Sequence, residues 1–243
     1  NILHCVYSTA GYTPDEVVTL LERQSRKLKP GGAMLVRDYI MPPECEMVLL
    51  ELPDVVGRGD DILTMSDTNL LVLFSQNARP MQSGCEGFFI EELVPRREGT
   101  RLFRLPHKWA QEFIYRKDYR GGWQQELNQE YTFFTWQDYR REFTRLGMRM
   151  TYSAPYWNPW VVNHCYKGRF QIYSEDYVPK NTPPTNYFII AQKLADKQSL
   201  VIEERRPSQK PAEDIKINVV RDKKSGKVHE LVKLPSEACD IVP

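Results

Sequence analysis

Three consecutive residues, Arg37-Asp38-Tyr39, follow a short apolar run and are the side chains in this sequence best suited to act on a substrate. The carboxylate of Asp38 can hold an amine or a hydroxyl group, and the guanidinium of Arg37 can hold an anion. The ring of Tyr39 can stack on a planar group. The alternative is a structural ion pair between Arg37 and Asp38 that closes the end of a strand. We interpret all three residues as candidate catalytic residues.

A second set of candidates lies between residues 96 and 120, where eight Lys and Arg residues accompany three acidic ones. Basic groups that follow phosphates, together with aromatic rings that stack on bases, are what single-stranded RNA binding requires. The residues that we expect to contact a substrate are Arg101, Arg104, Lys108, Trp109 and Arg116. The alternative is a solvated basic surface whose acidic partners lie elsewhere in the chain.

Composition restricts the class of protein. The formal net charge of the 243 residues is +1, which predicts no global attraction to nucleic acid or membrane. No run of about 18 apolar residues is present, so we expect no membrane-spanning helix. The five scattered cysteines lack a C-x-x-C pair, and neither they nor the four histidines have metal-ligand spacing. We therefore expect reduced thiols, a cytoplasmic location and no metal.

The elements around Arg37-Asp38-Tyr39 follow a strand–helix–strand pattern. The apolar residues Ile2–Tyr7 predict a buried strand. Thr13 and Glu16 have the spacing of a capping box and predict the start of a helix. Pro30-Gly31-Gly32 ends this helix, and Ala33–Val36 is the next strand. In open α/β sheets ligands bind beyond the carboxyl ends of strands, which is where the polar triplet lies.

Residues 44–134 do not continue this alternation, and we interpret them as an insertion over the carboxyl edge of the sheet. A short helix is predicted from Asp67 to Phe74, and a strand is predicted at residues 88–90. Residues 106–119 are compatible with either a helix or a strand. The insertion is the expected site of substrate recognition.

Regular patterns return at Thr135. An apolar stripe predicts a helix up to Leu146, and residues 148–153 and 185–191 are predicted strands. Between these two strands we expect a loop and a short β segment.

The composition changes after residue 197. Residues 203–211 are typical of a linker, and residues 215–232 predict a β-hairpin that opens a further domain.

The ordered elements together resemble the carboxyl half of a class I S-adenosylmethionine-dependent methyltransferase. The resemblance implies an α/β fold with a Rossmann-like sheet of seven strands, the last of them antiparallel. Residues 2–7, 33–36, 148–153 and 185–191 would be its fourth to seventh strands. The resulting division is methyltransferase core at 1–43, inserted α+β cap at 44–134, core at 135–197, and a linker with a β-rich extension at 198–243.

The nearest likeness is to the tRNA 3-methylcytidine methyltransferases and their relatives. It is carried by Ser8-Thr9-Ala10, Pro14-Asp15, residues 35–39 and residues 131–135. The insertion in this chain is much longer, and a further domain follows. The resemblance implies S-adenosylmethionine as cofactor, with Tyr7, Ser8 and Thr9 beside its methionyl and sulfonium groups. The implied activity is methyl transfer to a nitrogen or oxygen of a small molecule or RNA.

The glycine-rich loop that should precede these elements and hold a phosphate or cofactor is missing from the sequence. We therefore expect the chain to be a fragment that lacks an amino-terminal half of the same protein and is inactive alone. Two alternatives stay open: a non-catalytic binding or scaffold module derived from this fold, and a different doubly wound enzyme.

Overall fold

The computed structural model of the protein describes residues 2–43, 46–55, 61–79 and 87–194, and the backbone of three later strands. The described helices are α1 (Leu3–Thr9), α2 (Asp15–Lys27), α3 (Asp67–Asn77), α4 (His107–Arg116), α5 (Trp123–Leu127), α6 (Trp136–Arg145) and α7 (Pro159–Val161). The described strands are β1 (Ala33–Asp38), β2 (Met47–Pro53), β3 (Glu91–Leu93), β4 (Thr100–Pro106), β5 (Met148–Tyr156), β6 (Gln171–Tyr173), β7 (Asn186–Lys193), β8 (Leu200–Pro207), β9 (Lys216–Asp222) and β10 (Val228–Lys233). The described residues form a mixed α/β structure.

The chain divides into two compact units. One comprises residues 1–28 and 33–192, and the other comprises residues 29–32 and 193–243. The first unit contains both hydrophobic cores.

The strand predicted over Ile2–Tyr7 is wrong, because residues 3–9 form helix α1. Leu3 and Tyr7 are four residues apart and are both buried in the core, as expected for one face of a helix. A short apolar run is compatible with either conformation. The helix is favoured here because the carboxylate of Asp38 binds its first backbone N–H groups.

Helix α2 is confirmed, but its predicted capping box does not form. The N-cap position is occupied by Pro14, with no side-chain hydrogen bond to the helix. The hydroxyl of Thr13, one residue earlier, donates to the carbonyl of Ala10 at 3.1 Å. After the helix ends at Lys27, Gly31 has a φ of +82°, a conformation that glycine adopts without steric cost.

The first sheet has the strand order β1-β7-β5. The strands predicted at residues 33–36, 148–153 and 185–191 are therefore confirmed, each slightly extended or shifted. β7 runs antiparallel to β1, with Asp38 opposite Tyr187. Helices α1, α2 and α6 and this sheet share one hydrophobic core, which includes Val17, Tyr139 and Ile189.

Helix α6 is confirmed, and its start is well defined. The hydroxyl of Thr135 accepts from the backbone N–H of Asp138 at 3.1 Å. The carboxylate of Asp138 accepts in return from the N–H of Thr135 at 2.9 Å. Gly147, directly after the helix, has a φ of +69°. This reciprocal capping box satisfies two donors that would otherwise lack partners.

The second sheet has the order β3-β4-β2-β6 and belongs to a second hydrophobic core in the same unit. Strands β2 and β4 pair antiparallel along their whole length. The short β segment expected before residue 184 is confirmed as β6, and it pairs with β2. The second core therefore includes residues beyond position 134, among them Tyr166, Phe170 and Ile172.

Within residues 61–134 the predictions have mixed outcomes. The helix predicted from Asp67 is confirmed as α3, with Ser66 as its N-cap. The strand predicted at residues 88–90 is wrong, since the strand in this region is β3 at Glu91–Leu93. Residues 107–116 adopt the helical alternative as α4.

The second unit contains a sheet of order β10-β9-β8. The hairpin predicted over residues 215–232 is confirmed by the antiparallel pairing of β9 and β10. The linker predicted over residues 203–211 is wrong for residues 203–207, because these residues belong to strand β8. Positions 208–211 lie outside the described residues, as do Cys45, Cys85 and Cys239.

Among the helices in the described part of the chain, none combines the length and apolar character needed to cross a membrane. Cys5 and Cys165 are free thiols.

Candidate active site

Asp38 lies at the carboxyl end of β1, and only 1% of its surface is exposed. Its carboxylate accepts hydrogen bonds from the backbone N–H groups of Leu3 at 2.9 Å and His4 at 3.4 Å, the first residues of α1. The backbone N–H of Tyr39 also donates to it, at 3.0 Å. Because the first N–H groups of a helix have no partner within the helix, Asp38 fastens α1 to the end of β1.

The imidazole of His4 is held by the same carboxylate. Nδ1 of His4 lies 2.9 Å from Oδ1 of Asp38, and both side chains are buried. Donation of the Nδ1 proton to Asp38 leaves a lone pair on Nε2. Nε2 lies 3.4 Å from Sγ of Cys5. We refer to His4 and Asp38 as the dyad; a histidine oriented by a carboxylate is a common arrangement for a general base.

Arg37 does not share this site. Successive side chains of a strand point to opposite faces of a sheet, so Asp38 faces α1 whereas Arg37 is exposed. The carboxylate of Asp38 therefore pairs with His4 and not with Arg37. The structure brings Asp38 and Tyr39 together with His4 and leaves Arg37 on the other side.

Aromatic rings surround the dyad. Tyr39 stacks on Tyr131 with a centroid distance of 4.8 Å and an angle of 17°. The ring of His4 meets Tyr131 edge-on at 4.7 Å and Tyr39 at 5.7 Å. Tyr115 lies 4.6 Å from Tyr39. Burial, followed by the nearby Glu126 carboxylate, raises the pKa of Tyr131 well above its usual range. The dyad is thus enclosed by neutral rings.

The residues expected to contact the cofactor lie on the last turn of α1. Tyr7 is buried and stacks on Phe133 at 5.0 Å; burial raises its pKa to about 12. The hydroxyl of Ser8 donates to the carbonyl of His4 and accepts from the N–H of Glu130, both at 2.8 Å. Thr9 is exposed, and its hydroxyl donates to α1 carbonyls. Ser8 and Thr9 therefore have hydrogen-bond partners within the protein, and the three side chains do not form an open cradle for S-adenosylmethionine.

The basic residues expected to contact a substrate each have an acidic partner. These pairs are Arg101 with Glu92, Arg104 with Glu91 and Glu175, Lys108 with Glu130, and Arg116 with Glu112. Arg116 is 1% exposed. Trp109 stacks on Phe88 at 4.9 Å and 3°. Arg101 and Arg104 thus have acidic partners, as expected for a solvated basic surface, whereas Arg116 is buried and is not part of such a surface.

Two buried carboxylates organise the region next to the dyad. Glu112 accepts from the N–H groups of Tyr131 at 3.2 Å and Thr132 at 2.6 Å, and from the guanidinium of Arg116 at 2.5 Å. These bonds fix the segment that carries Tyr131 against α4. They position the aromatic rings around His4.

Glu130, the second carboxylate, has no exposed surface and pairs with Arg79 and Lys108. Burial raises its pKa, but hydrogen bonds and charge from Arg79 and Lys108 outweigh that effect and leave the pKa below its ordinary value. Glu130 thus stays ionised, and its backbone holds Ser8 of α1.

A second histidine–carboxylate pair lies at the amino-terminal end of α4. Nδ1 of His107 is 2.6 Å from Glu46, which also pairs with Lys180. Burial lowers the pKa of His107. Nε2 of His107 lies 3.2 Å from Gln111, so both ring nitrogens have partners. His107 lines a cavity of about 620 Å³ beside residues 40–43.

Among the described residues, no group of three His, Cys, Asp or Glu side chains is arranged to hold a metal ion.

Asn186, at the start of β7, is 8% exposed, and its Nδ2 has no hydrogen-bond partner. Asn186 directly precedes Tyr187, which is opposite Asp38 in the pairing of β1 with β7.

The strand predicted over Ile2–Tyr7 would make His4 a core position and not a site residue. The four-residue spacing of Leu3 and Tyr7 was the available signal for a helix. A helix starting at Leu3 would have placed His4 in its first turn, where a carboxylate is stabilised. The identity of that carboxylate depends on tertiary structure.

Comparisons of the chain with models of known protein families, with curated proteins and with solved structures found no match.

Proposed function

We propose that the chain is the carboxyl half of a class I S-adenosylmethionine-dependent methyltransferase that transfers a methyl group to a nitrogen or oxygen. The observation that carries this proposal is the His4–Asp38 dyad at the carboxyl end of β1. In open α/β sheets this end is where ligands bind. The β1–β7 pairing adds support, since the resemblance implies an antiparallel last strand.

The dyad supplies what such a reaction needs from the protein. S-adenosylmethionine would supply an already activated methyl group, so the protein mainly has to position the acceptor. An acceptor N–H or O–H loses a proton when it is methylated. Nε2 of His4 can take up that proton while Asp38 stabilises the resulting imidazolium.

Within this proposal the acceptor is a small molecule and not RNA. An RNA surface needs basic groups that are free to meet phosphates, whereas Arg101, Arg104, Lys108 and Arg116 are each paired with a carboxylate. The free thiols of Cys5 and Cys165 are compatible with the cytoplasmic location that we propose.

The test is calorimetry with S-adenosylmethionine on the full-length protein. We expect saturable binding by both the wild type and His4→Gln, because the dyad acts on the acceptor. Failure of the folded wild type to bind the cofactor would overturn the proposal. The roles of Tyr7, Ser8 and Thr9 as cofactor contacts stay predictions.

The second candidate is a non-catalytic binding or scaffold module. It is favoured by one observation, which is that His4 is only 7% exposed and its Nε2 already faces Cys5. In such a module the dyad would serve to fasten α1 to β1. A folded full-length protein that binds no S-adenosylmethionine would support this candidate.

A further inference from the structure

A pocket lined by aromatic side chains opens beside the dyad. Its volume is about 240 Å³. The rings that line it, here called the aromatic pocket, belong to Tyr39, Tyr115, Tyr119, Trp160 and Tyr166. Tyr39 is shared, because the same ring contacts His4. The pocket therefore adjoins the candidate active site through one residue.

The walls of the aromatic pocket come from elements that are held independently. Tyr39 follows β1, and Tyr115 is in α4. Tyr166 ends a π-helical turn, Val162–Tyr166, that continues α7. π-helical turns are rare in proteins, but those that occur are often found at functional sites. Tyr166 of this turn and Trp160 of α7 both line the pocket.

Charge restricts what the pocket can take. The described residues that line it include one charged side chain, Asp118, whose carboxylate lies 3.0 Å and 3.1 Å from Nζ of Lys117. The hydroxyl of Thr185, another lining residue, donates to the carbonyl of Tyr156. An anion would meet a carboxylate and the negative faces of the rings. The ring faces would attract a cation, but Asp118, the one carboxylate among the described lining residues, is already paired with Lys117 and does not balance a second positive charge.

We propose that the aromatic pocket binds an uncharged planar ring and that this ring is the methyl acceptor, an inference that rests on the proposed function. Aromatic faces hold a planar ring by stacking and edge-to-face contact. The volume is below the roughly 300–1,000 Å³ typical of sites for drug-sized ligands. The ligand is therefore a single ring with a short substituent that carries the accepting O–H or N–H.

The experiment uses three probes with the same ring: para-ethylphenol, which is neutral, tyramine, which is cationic, and para-hydroxyphenylacetate, which is anionic. Binding to the full-length protein is measured by ligand-observed NMR without cofactor. The test variants are Trp160→Ala and Tyr119→Ala, whose side chains are more than half exposed, so that the fold should tolerate their loss. The matched control is Tyr152→Ala, an equally exposed tyrosine on β5.

We expect para-ethylphenol to bind most tightly of the three. Each test variant should raise its Kd about five- to tenfold, as expected for the loss of one aromatic wall. Tyr152→Ala should leave the Kd unchanged. Absence of para-ethylphenol binding at millimolar concentration, tighter binding of the anion or the cation, or equal effects of all three variants would each overturn the inference.

This result is separable from the test of the proposed function. If the ring binds and the protein shows no affinity for S-adenosylmethionine, the pocket stands as a ring-binding site and methyl transfer is overturned. If the cofactor binds and no ring does, the pocket inference alone is overturned.

Discussion

Nδ1 of His4 lies 2.9 Å from Oδ1 of Asp38, although the two residues are 34 positions apart in the chain. The same carboxylate binds the first backbone N–H groups of α1, so one side chain both starts the helix and orients the imidazole. The position of His4 is therefore tied to the end of β1. Any movement of α1 relative to the sheet would break both contacts together.

Removal of the imidazole should abolish most methyl transfer while leaving the fold intact. We expect His4→Gln in the full-length protein to lower kcat about 10²–10⁴-fold, the usual contribution of a general base. The measurement is product formation at saturating cofactor and acceptor. Arg26→Gln, an exposed substitution on α2, is the control and should keep full activity. A kcat for His4→Gln equal to that of the wild type would rule out the dyad as the base.

Glu130 should be far more important for stability than an exposed glutamate in a similar ion pair. Glu130→Gln leaves Arg79 and Lys108 without their buried partner, and we expect it to lower the free energy of unfolding by about 3–5 kcal/mol. Glu92→Gln, which breaks the exposed pair with Arg101, should cost about 1 kcal/mol or less. Urea unfolding of the two variants measures the difference. Similar losses would contradict the burial argument.

Stability should fall in acid because of Glu51. Burial raises the pKa of this carboxylate, but hydrogen bonds from Arg97, Thr100 and Tyr173 outweigh burial and leave the pKa below 4.5. The unfolded chain therefore binds a proton more readily than the folded one. The contribution of Glu51 is present at neutral pH and is lost as the pH falls through 4.5 and below.

The check is urea unfolding between about pH 7 and about pH 3 for the wild type and Glu51→Gln. The difference in unfolding free energy between the two should shrink as the pH falls. A difference that is constant with pH would show that the Glu51 contribution does not depend on its charge.

Loss of the hydroxyl that caps α6 should destabilise the protein measurably. Thr135→Ala removes the side chain that accepts from the N–H of Asp138, at an expected cost of about 1 kcal/mol. Thr144→Ala, at an exposed position inside the same helix, is the matched control and should cost less. Thermal unfolding of both variants gives the comparison. An equal effect would mean that the capping box contributes nothing.

The elements that the sequence predicted are those with strong local signals. Helix α6 has an apolar stripe and a glycine stop, and β1 and β7 are continuous apolar runs with clear ends. The hairpin of β9 and β10 has a Lys-Ser-Gly turn signal between its two strands. Local backbone preference and periodicity suffice to predict these elements.

The candidate site was only partly predictable. The sequence predicts Asp38 and Tyr39 as site residues because polar residues at the end of a buried strand are conspicuous. Arg37 was included because a sequence does not show which face of the sheet will be covered. His4 was missed because a short apolar run does not distinguish a strand from a helix.

The sequence by itself determined the polar triplet at the carboxyl end of β1, the helices with periodic apolar faces and the mixed α/β class. Tertiary structure alone decided that residues 3–9 are helical, since the cap of α1 comes from Asp38, 35 positions beyond Leu3. It also decided that Lys108 and Arg104 are paired, because Glu130 and Glu175 approach them only in the folded chain. The physical reason is that capping and ion pairing depend on distance in space, whereas helical and strand periodicity depend on distance along the chain.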